Sequence, residues 1–407
     1  MKTLKELCKP RKSVFDQSKR DIVLDISDVI EERIDPTEFF SENYLTDGMK
    51  VLFQEAFRRF AGKSDSGVFT LTQAMGGGKT HCMIALALLA KYPEFRKEVI
   101  GSGFGSELSD PVKVVAFNGR ETDAPYGIWG SIADQLGKKA AFDSYYSPLS
   151  APGESAWVNL LSGERVVILL DELPSYLENA RSKDIGNSDL AVVTSTALAN
   201  LLVAVGKGEL SRVCVVISDL RATYEGGSGQ ISEALHNFQQ EVGRSAIGLE
   251  PVQLNTDEVY HILKKRLFEE LADSDEIKAI AEGYRSSLAD AEQMNLTHAS
   301  SDTLAQQIRE SYPFHPRIRD LYARFRENPG FQQTRGLLRF MRVVLSDLFE
   351  SDGANSAYLI HPHMIDLNHR ESLAGLPTRM IKPFTTGRLL SLSLSHRLVG
   401  SEGKLIK

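Results

Sequence analysis

Cysteine is scarce in this 407-residue chain: Cys8, Cys82 and Cys214 are its three, far apart and odd in number. With no CxxC pair and no Cys/His cluster, neither a disulfide scaffold nor a zinc site is indicated, and a reducing compartment is expected. Long apolar runs are missing too. No stretch approaches the roughly 20 apolar residues that a membrane-spanning helix needs. The segment Met1–Arg11 is basic but has no apolar run behind it, which is not the pattern of a signal peptide. Nor is there an excess of basic charge, since 47 Lys and Arg face 54 Asp and Glu for a net charge of −7. That balance excludes a generally basic nucleic-acid coat, though not a local basic patch. A cytoplasmic protein without a membrane partner is the expectation. Hydrophobic content of 42% and charged content of 25% exclude disorder as the dominant state, and the length suggests two or three domains.

Along the chain, apolar runs alternate with helical patterns. Thr46 can cap a helix carrying Leu52, Phe53, Ala56, Phe57 and Phe60 at helical spacing. Strand-like runs follow at 68–72, 112–117, 165–170, 212–217 and 246–249, with helical stretches at 81–91, 190–205 and 231–242 among them. Such alternation predicts an α/β core, a parallel sheet flanked by helices, over 46–251. The segments 101–110 and 138–153 read as inserted decoration. After Pro251 the pattern turns helical, with a capping-box-like start at Asn255 and Glu258. Helices over 275–294, 302–311, 316–327 and 334–350 complete an all-α domain over 252–350. Residues 1–45 read as an N-terminal extension and 351–407 as a weakly patterned C-terminal segment.

Two motifs carry chemistry. The first is Gln73-Ala74-Met75-Gly76-Gly77-Gly78-Lys79-Thr80, which matches GxxxxGK[ST] except that Gln73 replaces the first glycine. Glycines let backbone N–H groups curl around phosphates above a helix N-terminus. Lys79 would reach the β- and γ-phosphates, and the Thr80 hydroxyl would sit on Mg²⁺. The second is the apolar run 166–170 ending in Asp171-Glu172. At the carboxyl end of a parallel strand, Asp171 can hold Mg²⁺ through water and Glu172 can polarise the water that attacks the γ-phosphate. ATP and Mg²⁺ are the expected ligands.

Together these features resemble the AAA+ class of P-loop ATPases, with Walker A and Walker B elements in the expected order. The resemblance covers roughly Thr46 to Glu350. Segments 39–46, 75–81, 312–316 and 331–336 look closest to the initiator- and STAND-like branch. They also resemble the N-terminal ATPase part of large prokaryotic ATPases from phage-defence gene neighbourhoods. The resemblance implies further roles. Asn118 would restrain the catalytic glutamate, and Ser218, or Asp219 beside it, would act as a polar sensor. Arg244 would be an arginine finger reaching a neighbouring subunit's nucleotide, which makes a homo-oligomer the expected active form. Arg335, in competition with Arg339, would be a sensor from the lid. Met75 and His81 complete the nucleotide-binding segment 75–81.

The expected function is therefore ATP hydrolysis coupled to core–lid motion and to a DNA or protein partner. A slow nucleotide-gated switch or scaffold and a ring-type nucleic-acid translocase are the alternatives. The arginines 317, 319, 324, 326, 335, 339 and 342 make the lid locally basic, either as solvated faces or as a nucleic-acid surface. His361-Pro362-His363 reads as an ordinary loop, not a metal site.

Overall fold

The computed structural model describes residues 1–16, 24–73, 76–101, 108–120, 124–218, 232–252, 257–294, 300–326 and 333–365. The expectations resting on Met75, Asp219, Asn255 and the segment 366–407 lie outside these residues. The chain divides into two compact units. One holds residues 23–41 and 45–253, and the other holds 1–22, 42–44 and 254–407. Residues 1–45 are thus shared between the units.

The first unit is α/β. Its sheet has five parallel strands, β1 (Val68–Leu71), β2 (Lys113–Asn118), β3 (Val166–Asp171), β4 (Val213–Ser218) and β5 (Ile247–Leu249), in the order β2-β3-β4-β1-β5. Every residue of β1, β3 and β4 is buried, because helices cover both faces of a parallel sheet. Side chains alternate between two cores. Val68, Ile168, Leu170, Val215 and Ile217 face one, while Phe69, Leu71, Val167, Leu169 and Val216 face the other.

The longer helices of this unit are α1 (Asp47–Phe60), α2 (Lys79–Lys91), α3 (Gly127–Gln135), α4 (Glu154–Leu161), α5 (Leu173–Ala180), α6 (Leu190–Val205) and α7 (Ser232–Ser245). Thr46 caps α1 as its sequence suggests, its hydroxyl accepting from Met49 N at 3.2 Å. Asp189 caps α6 through Val192 N in the same way. Arg59 of α1 is buried, and its guanidinium donates to the carbonyls of Ser64, Asp65, Val205, Leu210 and Val213, fastening the loop that leads into β1. The stretch 138–153 is not decoration. Phe142, within it, is buried edge-to-face against Trp157 of α4 at 5.2 Å, and Trp129 of α3 is buried in the same core. The burial of Phe142 against these two rings makes this stretch part of the core.

The second unit is mainly helical, with α8 (Glu258–Leu267), α9 (Ser274–Gln293), α10 (Ser301–Ser311), α11 (Arg317–Arg326) and α12 (Gln333–Glu350). It also contains a two-stranded antiparallel ribbon, Lys9–Pro10 against Phe268–Glu270. Asp273 caps α9 and Ser300 caps α10. Leu4, Val14, Leu263, Phe314, Phe340 and Leu345 belong to its core. No helix among the described residues is long and apolar enough to cross a membrane.

Candidate functional site

The carboxyl ends of β1, β2, β3 and β4 line up, since Leu71 pairs with Ser218 and Asn118 with Asp171. The residues that follow them therefore gather at one edge of the sheet, where α/β folds place their ligand crevices. β1 leads into the glycine-rich turn before α2. Gly76 and Gly78 have φ of 80° and 87°, a left-handed conformation that a side chain at either position would strain. The first intrahelical bond of α2 closes from Cys82 N to Gly78 O at 2.9 Å. That bond makes Gly78 the residue at which α2 begins, so the positive end of the helix lies at the glycine turn, an arrangement suited to an anion.

Three of the expected residues meet here. The Thr80 hydroxyl donates to Asp171 Oδ2 at 2.5 Å across 91 positions of sequence. Asp171 is buried at the end of β3, and its Oδ1 accepts from Glu172 N at 3.0 Å. Lys79 Nζ donates to the main-chain oxygen of Gln73 at 2.5 Å, which ties its ammonium back to the end of the chain leaving β1. A hydroxyl and a carboxylate at hydrogen-bond distance form an all-oxygen donor pair of the kind magnesium prefers when substrate phosphates supply its other ligands. The residues present therefore fit that ion.

Glu172 is half-buried and sits in the left-handed region at φ 53°. Such a conformation is costly for a non-glycine residue and persists only where its surroundings impose it. Two contacts impose it here. Ser218 Oγ accepts from Glu172 N at 3.1 Å, and Gly119 packs against the Glu172 carbonyl. Ser218, buried at the end of β4, is thus brought to the site through the Glu172 backbone.

Other expected residues have different partners or positions. Asn118 donates its amide to Asp25 Oδ2 at 2.5 Å and accepts from Arg120 N at 3.1 Å. The group beside the Glu172 carboxylate is Arg120, whose guanidinium lies 3.9 Å from Glu172 Oε1. His81 is half-buried, its ring stacked on Phe39 with centroids 4.7 Å apart. Arg244 ends α7 with its side chain 73% exposed and 3.6 Å from Glu241. It precedes β5 at the amino ends of the parallel strands, opposite the edge that carries the glycine turn. Arg335 and Arg339 are exposed on the first turns of α12 in the second unit.

The basic cluster of the second unit is uneven. Arg317 and Arg324 are exposed, Arg319 pairs with Asp257 at 2.8 Å, and Arg342 is buried. His361 lies against His315 and His363 in tilted ring pairs with centroids 4.7 and 5.0 Å apart and meets the Tyr284 hydroxyl at 2.9 Å. Among the described residues no group of three or more His, Cys, Asp and Glu is placed to hold a metal ion. The three thiols are buried, and burial pushes Cys8 up to about 11 and Cys214 up to about 12.

Sequence reasoning passed over Gly119, Arg120 and the side chain of Gln73. The Asn-Gly-Arg at the end of β2 was the available signal, because a glycine beside a strand end allows close backbone approach.

Comparison with protein families covers most of the chain. The DUF499 N-terminal domain matches residues 2–116 and 99–247, and the DUF499 second domain matches 255–379. The gap between them falls beside the boundary of the two structural units at 253 and 254. No curated protein matches.

Proposed function

The chain belongs to the DUF499 family, and from the site on its sheet edge we propose that it binds ATP with Mg²⁺ and hydrolyses the β–γ bond. The observation that carries this reading is the meeting of Thr80 and Asp171 at the helix start that follows the glycine turn, where Lys79 bonds back to Gln73. In this reading residues 73–80 are a phosphate-binding loop of AAA+ type, and the strand order β2-β3-β4-β1-β5 supports it by placing β4 between the loop strand and the acidic strand.

Gly76, Gly77 and Gly78 cradle the phosphates and Lys79 neutralises their charge. Thr80 and Asp171 would hold the ion, which would supply charge stabilisation to the phosphoryl oxygens. Glu172 accepts the proton of the attacking water as the bond from the γ-phosphorus to the bridging oxygen breaks, releasing ADP and phosphate. Arg244, on the opposite edge, serves a neighbouring subunit in a homo-oligomer. Helices α8–α12 act as the lid, and a macromolecular partner reads the nucleotide state, in keeping with the likeness to prokaryotic phage-defence ATPases.

Calorimetric titration of ATP with Mg²⁺ tests the assignment. Wild-type protein should bind and Lys79→Ala should not; equal affinity for the two would sink it. The Arg120–Glu172 ion pair favours a second reading, a slow nucleotide-gated switch, because an arginine at that carboxylate competes with water for it. Steady-state phosphate release distinguishes slow from fast turnover.

A further inference from the structure

The glycine-rich pattern has glycine at its first position where this chain has Gln73, and the structure gives that departure a use. β1 ends at Leu71 and β5 at Leu249. Thr72 prolongs their pairing, with its N–H 2.8 Å and its hydroxyl 3.3 Å from Leu249 O. Pro251 then interrupts backbone pairing, since it has no N–H. The Gln73 side chain takes over. Its Nε2 donates to Val252 O at 2.8 Å and its Oε1 accepts from Val252 N at 3.2 Å, the two bonds that a neighbouring strand would make.

Gln135 does the same for Ala116 on the other edge strand, at 2.9 and 3.0 Å, where the effect is to close an open edge. Gln73 differs because its own main-chain oxygen receives the Lys79 ammonium at 2.5 Å. Val252 also approaches the glycine turn directly, for a Cβ on Gly78 would lie 3.7 Å from Val252 Cγ2. The neighbouring residues are anchored as well. Thr46 Oγ1 donates to Pro251 O, and a Cβ on Gly48 would come within 1.9 Å of Glu250 O.

We propose that Gln73 is a positioning residue that transmits the state of Lys79 to residues 249–252, the segment by which the chain leaves its α/β unit. The proposal rests on the nucleotide-binding reading above. A lysine turned toward phosphate oxygens gives up its bond to the Gln73 carbonyl, and the peptide plane at that residue is released. The side-chain amide then loses its alignment with Val252, because paired bonds of this kind weaken steeply with angle. Lys79 and Val252 thus bias one two-state element, and differential contacts of that sort are what a ligand needs to shift a population.

Hydrogen exchange at Val252, measured on the full chain with and without ATP and Mg²⁺, tests the coupling. In the wild type, ATP should change the exchange rate. In Gln73→Met, which keeps the length but loses both bonds, the ligand-free rate should rise about tenfold, the worth of one hydrogen bond. The response to ATP should vanish, with KM within about threefold of wild type and a lower kcat. A Gln73→Met protein that still responds to ATP overturns the proposal. A wild type that binds ATP while Val252 stays indifferent also overturns it but leaves the nucleotide reading standing. A wild type that binds no ATP in calorimetry sinks both.

Discussion

Gly119 faces the carbonyl of Glu172 so closely that a Cβ there would lie 2.0 Å from the oxygen and 2.4 Å from its carbon. The glycine also donates its own N–H to Asp171 O at 2.8 Å. The turn after β2 thereby sets the backbone of the proposed base, whose φ of 53° no strand or helix would impose.

Gly119→Ala should therefore displace Glu172 without touching the loop. Steady-state kinetics should show kcat lowered by about 10²-fold, the effect of a misplacement near 1 Å, with KM little changed. Wild-type kcat in this variant would show that the close approach does not position the base.

The resemblance assigns restraint of Glu172 to Asn118, whereas the structure sets Arg120 beside the carboxylate and turns Asn118 to Asp25. Arg120→Ala is expected to change kcat at constant KM. Asn118→Ala, which loses the Asp25 contact, should act mainly on thermal stability. The reverse assignment would follow if Asn118→Ala alone moved kcat.

Arg244 is exposed and, among the described residues, makes one surface ion pair, so Arg244→Ala should leave the melting temperature unchanged. If the residue serves a neighbouring subunit, that variant is inactive alone. Mixed with inactive Lys79→Ala, it should regain part of the activity, since one interface in the mixed oligomer then has an intact loop and an intact arginine. A mixture no more active than its parts would remove Arg244 from the mechanism.

Lys264 of α8 donates to Glu310 O at 2.6 Å, and burial lowers its ammonium to about 8. The unfolded chain keeps that proton up to the usual 10.5, so unfolding takes up a proton between those values and stability rises with pH across the window. Below pH 8 the full cost of the buried charge is present. Lys264→Met should accordingly be more stable than wild type to urea at pH 7, with the advantage shrinking toward pH 10. A difference independent of pH would mean that the charge is not the cause.

What the sequence alone determines here is local. Three glycines before Lys79 and Thr80 specify a turn with left-handed residues into a helix, because only glycine takes that conformation cheaply. The apolar run ending in Asp171 specifies a buried strand with a polar tip, and Thr46 specifies a helix start. These rest on interactions within a few residues, so they are legible in order along the chain. Burial of Trp129, Phe142 and Trp157 was not, since the helices at 127–135 and 154–161 are short and draw their stability from one another and from the sheet. The assignment of residues 1–22 to the helical unit was hidden for the same reason, because a two-residue strand at Lys9–Pro10 exists only by pairing with Phe268–Glu270. Only the parallel register of the sheet could decide that Thr80 meets Asp171, that Arg120 meets Glu172, and that Gln73 grips Val252 across 179 residues. Such pairings depend on which strands lie side by side, and that is settled by burying both faces of the sheet at once.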